Sequence, residues 1–144
     1  MRFVDNDRWA GAFPIDANAR YEFTIEALAD PFRSWRADLN TRVAAGQDVT
    51  SELREGAALV EAAATRADGA RVGHDDAATL RAYAARLGGG DHAGAVSVAA
   101  DEALAALMDA YLDRGDAMWC ESTFEIVADR ARARFAAWYE FFPR

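Results

Sequence analysis

Apolar positions change period twice along the chain. Near the start, Arg8 to Phe13 places Trp9, Gly11 and Phe13 on one face of an extended segment. Pro14-Ile15-Asp16-Ala17-Asn18-Ala19 reads as a turn. From Tyr21 to Ala27 the alternation is strict, with Tyr21, Phe23, Ile25 and Ala27 inward and Glu22, Thr24 and Glu26 outward. The two runs together predict a hairpin.

The period then becomes helical. Asp30 is placed to cap a helix with Pro31 at its first position, and Phe32, Trp35, Leu39 and Val43 fall on one face before Gly46. A second helix is predicted from Thr50 or Ser51, with Glu52 and Glu55 near its N-terminus. It carries Leu53, Ala57, Val60 and Ala64, and it stops near Asp68-Gly69. A third follows Asp75 with Leu80, Tyr83, Ala84 and Leu87, ended by Gly88-Gly89-Gly90. The fourth carries Leu104, Leu107, Met108, Tyr111 and Leu112, closed by Gly115. Strand character returns at Phe124-Glu125-Ile126-Val127 and again from Arg134 to Phe142. Strands interrupted by helices and then resumed predict an α+β chain in which a bundle of about four helices hangs from a β-domain.

The last run bears aromatics on both faces: Phe135, Tyr139 and Phe141 on one, Trp138 and Phe142 on the other. A sheet in a small domain usually keeps one wet face. Two readings stand. Either a following domain or partner chain covers Trp138, Tyr139, Phe141 and Phe142, or the run is a buried central strand.

Composition narrows the chemistry. Acidic residues outnumber basic ones 24 to 16 for a net charge of −8, the opposite of what a phosphate backbone attracts, so nucleic acid is not an expected partner. All the basic residues are arginines, which excludes a Schiff-base or phosphate-loop lysine. Hydrophobic residues make up 52%, enough for a core, yet no run approaches the ~20 apolar residues of a membrane span. Met1 to Asp7 lacks the apolar stretch of a signal peptide, and the single Cys120 fits a reducing compartment, so the expected location is the cytoplasm.

No catalytic, cofactor or metal residue is selected. His74 and His92 lie 18 apart without a cysteine pair, and Asp75 and Asp76 are better explained as helix-capping residues than as ligands. Cys120 beside Trp119 reads as a packing residue. Trp9, Trp35, Trp119 and Trp138 have the chemistry to stack on sugar rings, but core or interface packing is the simpler role for each.

Several blocks carry a family resemblance. They are Asn6-Asp7-Arg8-Trp9, Phe13-Pro14-Ile15-Asp16, Arg20 to Ala27, Asp30-Pro31-Phe32 with Trp35-Arg36, Ala45 to Val49 with Glu52-Leu53 and Glu55-Gly56-Ala57, and the tail Ala133 to Arg144. In order and spacing the set resembles the N-terminal region of the α-1,4-glucan:maltose-1-phosphate maltosyltransferases. The stretch from about 65 to 122 matches weakly. Leu28 stands where the family tends to have tryptophan, and Ala19 where a turn glycine is usual.

The resemblance implies a partial antiparallel β-sandwich (1–29 and 118–144) interrupted by an inserted helical bundle (30–117), leading into a catalytic barrel. It implies a retaining transferase of the α-amylase-like clan that moves a maltosyl unit from α-maltose 1-phosphate to the non-reducing end of an α-1,4-glucan and releases phosphate. Such chemistry needs a carboxylate nucleophile and an acid/base. Both would lie in the barrel, so no residue of this chain inherits a catalytic role. The region is expected to serve homodimerisation, and glucan to be met only through the full enzyme. The family's sandwich has strands before the position of Met1 and its barrel follows that of Arg144. A cut-out piece or a short relative is therefore expected, with an unpaired edge on the 8–27 hairpin that favours dimerisation, strand swapping or aggregation. The alternatives are a free-standing β-sandwich module that binds glucan or protein and, ranked below it, a helical adaptor.

Overall fold

The structure is a computed structural model and describes residues 1–70, 74–130, 140 and 142. The chain is α+β. Among the described residues there are five helices and three two-stranded sheets. Backbone contacts divide it into two compact units, Met1–Glu26 with Trp119–Arg144, and Ala27–Met118.

In the first unit, β1 (Arg2–Asp5) and β2 (Arg8–Ala10) form an antiparallel hairpin. The turn residues Asn6 and Asp7 have φ of 41° and 60°. Two successive positive φ values give the turn that matches strand twist, and Asn and Asp tolerate that region best after glycine. Phe3 is paired with Trp9, and their rings meet edge to face with centroids 5.5 Å apart.

Strand β3 (Arg20–Phe23) pairs antiparallel with β6 (Phe124–Val127), in the register Tyr21↔Ile126 and Phe23↔Phe124. The Phe23 and Phe124 rings stack at 5.2 Å, and Phe13 adds a third ring 5.5 Å from Phe23. Tyr21 Oη accepts from Ala17 N at 3.0 Å and so holds the preceding turn. The pairing corrects the expected 8–27 hairpin. Arg8–Ala10 takes Arg2–Asp5 as its partner, while 20–23 reaches across about a hundred residues of chain to 124–127. The physical reason is the Asn6-Asp7 turn, a shorter closure than the 14–19 loop.

The alternating run also breaks at Thr24, whose hydroxyl lies 3.2 Å from the carbonyls of both Cys120 and Ser122. Beyond it, β4 (Glu26–Ala27) pairs with β5 (Met118–Trp119). The run predicted from Arg134 to Phe142 lies outside the described residues except for Glu140 and Phe142, both exposed.

The second unit holds every buried hydrophobic residue found among the described ones, from Phe32 to Met108. Helix α1 (Pro31–Ala44) begins as expected, with Asp30 Oδ1 accepting from Arg33 N at 2.9 Å. It ends with Gly46 at φ 67°, where Gln47 N donates to Arg42 O and Gly46 N to Val43 O, the paired bonds of a left-handed helix stop. Phe32, Trp35 and Leu39 are buried, while Val43, expected on the same face, is exposed. Helix α2 (Thr50–Asp68) buries Leu53, Val60 and Ala64 as predicted, and also Gly56, Ala63 and Ala67. Its most extensive packing is with α3 (His74–Gly88), through Ala77, Leu80, Ala84 and Leu87.

Helix α4 (His92–Ala99) lies between the third and fourth predicted helices, where the apolar pattern predicts none. Its Gly94, Val96, Ser97 and Val98 are poor helix formers, but Asp91 caps it and Ala95, Val98 and Ala99 are buried. Among the described residues the helical unit therefore contains five helices where a bundle of about four was expected. Helix α5 (Glu102–Ala110) is capped by Asp101 and ends near Tyr111, short of Gly115, with Leu104 and Met108 buried.

Candidate functional site

Of the four residues proposed from sequence as an interface, Trp138, Tyr139 and Phe141 lie outside the described residues; Phe142 is 77% exposed. Apolar surface does collect elsewhere in the strand unit. Every described residue of that unit is exposed or half-buried, and Phe3, Trp9, Phe13, Ile15, Trp119 and Phe124 are among the exposed ones.

The tryptophans divide by unit. Trp35, at 5% exposure, is core, and its indole Nε1 donates to Glu52 O at 2.6 Å. Trp9 and Trp119 are each 59% exposed. Cys120 is exposed, not packed as expected; its amide donates to Ile25 O at 2.8 Å, so the backbone is tied down while the thiol faces outward.

One polar cluster has the residue types of a catalytic relay. Asp48, Thr50 and His92 meet between the start of α2 and the start of α4. Thr50 Oγ1 donates to Asp48 Oδ1 at 2.6 Å, so its one proton is engaged and the His92 Nε2 contact at 3.2 Å has the imidazole as donor. That direction is the reverse of what activates a hydroxyl nucleophile. Asp48 also accepts from Thr50 N at 3.0 Å, and its carboxyl is held below the usual carboxylate range by the Thr50 hydroxyl, then the Thr50 amide, and by His92. The cluster is an Asx turn just ahead of α2 with a histidine brace. The Asp-x-Thr spacing carries that signal, whereas the His92 contact depends on α4, which the helical pattern does not predict.

Within the helical unit, several polar contacts tie one helix to another. Tyr83 Oη donates to Asp101 Oδ2 at 2.9 Å, and Tyr111 Oη to Asp76 Oδ2 at 2.6 Å; each carboxylate pushes its phenol's pKa up. Arg33 bridges Asp30 and Asp109, and its pKa is raised mainly by the Asp109 bond. Arg36 spans Ala100 O at 3.0 Å and Glu102 Oε1 at 2.5 Å, joining α1 to the α4–α5 junction. Arg81 pairs with Asp68 and Glu61. A cleft of about 150 Å³ is lined by Pro31, Phe32, Leu59, Met108 and Leu112, with Asp30, Arg66 and Asp113 also on its wall. Among the described residues no group of three His, Cys, Asp or Glu side chains could hold a metal ion, and no helix is long and apolar enough to cross a membrane.

The model of the family described as "Alpha-1,4-glucan:maltose-1-phosphate maltosyltransferase, domain N/S" matches residues 1–130, and the chain belongs to that family. A maltosyltransferase of that name from Myxococcus xanthus (strain DK1622) is 49% identical over 144 residues, which is all of this chain and 22% of the relative. Those of Chlorobaculum tepidum and Rhodospirillum rubrum are 37% and 36% identical, over 100% and 95% of this chain and 21% and 20% of their own lengths. The chain thus spans about a fifth of the length of these relatives.

Proposed function

We propose that the chain is the accessory, non-catalytic part of a maltosyltransferase that moves a maltosyl unit from α-maltose 1-phosphate to the non-reducing end of an α-1,4-glucan and releases phosphate. The observation that carries this reading is the family match over residues 1–130 together with 49% identity along the whole chain.

In this reading residues 1–29 and 118–144 are strands of a β-sandwich, 30–117 are its inserted helical bundle, and the chain leads into a catalytic barrel. The division into a strand unit and a helical unit supports those boundaries. The outward aromatics of the strand unit, and with them Trp138, Tyr139, Phe141 and Phe142, face the barrel or a second subunit of a cytoplasmic homodimer. Glucan meets the protein through the full enzyme.

The test is phosphate release from maltose 1-phosphate with glucan as acceptor. The isolated chain is expected to release none, and release by it would overturn the accessory role. Sedimentation of the full enzyme tests the homodimer.

A second reading, a glucan-binding module, is favoured by the exposed Trp9 and Trp119. Titration of the isolated chain with soluble α-1,4-glucan separates the two. An accessory packing role leaves tryptophan fluorescence unchanged, and a saturable shift that is lost in Trp9→Ala or Trp119→Ala supports binding.

A further inference from the structure

We draw no further inference here: the strongest candidate, the exposed aromatic surface of the strand unit around Phe3, Trp9 and Phe13, carries nothing beyond the packing role already proposed because nothing in the structure shows what covers it.

Discussion

The indole of Trp35 occupies the space that a side chain at Gly56 would need. A Cβ built there falls inside the ring atoms Cζ2, Cε2 and Cη2. The same indole donates to the carbonyl of Glu52, one turn earlier in α2, so the notch at Gly56 seats α1 on α2. Gly56→Ala adds about 1 kcal/mol of helix propensity. Overpacking a closed contact costs about 1–3 kcal/mol and occasionally more. With the ring wedged against the backbone, the clash is expected to win. The urea midpoint of the helical far-UV circular dichroism should fall; a rise would mean that the indole moves aside freely.

Stability should be divided between the units. Leu80 is fully buried in the helical core. Leu80→Ala is expected to cost about 2–5 kcal/mol. Trp9→Ala, at an exposed ring, should change the helical melt by no more than about 0.5 kcal/mol. The excised segment 27–118, which contains the buried core, should keep the helical spectrum and a cooperative melt. Loss of cooperativity on excision would show that the strands support the core.

The cap of α1 is a separate test. Asp30 accepts from Arg33 N and also pairs with the Arg33 side chain. Asp30→Ala should lower stability by about 1 kcal/mol, and Asp30→Asn should recover most of the loss because its amide oxygen accepts the same bond. Equal losses in both variants would assign the effect to the ion pair.

Acid should weaken the helical unit through two carboxylates that accept backbone bonds at helix starts, Asp48 ahead of α2 and Asp101 at the cap of α5. Asp101 is held below its ordinary value first by the amide of Ala103 and then by the Tyr83 hydroxyl, and Asp48 first by the hydroxyl and amide of Thr50. Because the folded values are the lower ones, the unfolded chain binds these protons first. The stabilisation is complete above the unfolded-chain value and is lost as pH falls through the folded one. Urea midpoints taken at about pH 6 and about pH 3 bracket the ordinary carboxylate range. The fall between them should be smaller in the Asp48→Asn, Asp101→Asn double variant than in the parent. An equal fall would place the acid sensitivity elsewhere.

The β1–β2 turn makes a local prediction. Asp7 sits at φ 60°, a conformation that costs an ordinary residue roughly 1–2 kcal/mol and glycine almost nothing. Asp7→Gly should therefore strengthen the Phe3–Trp9 ring contact seen in nuclear Overhauser spectra, and Asp7→Val should weaken it, with the helical melt unmoved by either.

How much was legible depended on distance along the chain. The starts of α1 and α2, their buried faces and the end of α3 at its glycines follow from signals within one or two helical turns. The resemblance blocks were legible for the same reason, as local runs of residues. Helix α4 escaped because eight residues with Gly94 and two valines carry almost no helical signal. Burial of Ala95, Val98 and Ala99 against the neighbouring helices makes it stable. The Asp48–Thr50–His92 brace escaped with it, since it exists only when α4 starts beside α2.

The sequence by itself determined the buried faces of α1 and α2, the Asp30 cap, the short strand from Phe124 to Val127 and the family, because each is written in neighbouring residues. Only the tertiary structure decided which strands pair. The partner of Tyr21 is Ile126, not a residue of the preceding run, and the notch that receives Trp35 lies on another helix at Gly56. Alternation gives a strand two faces but leaves its edges unassigned. The choice between partners rests on loop closure and on ring packing between residues far apart in the chain.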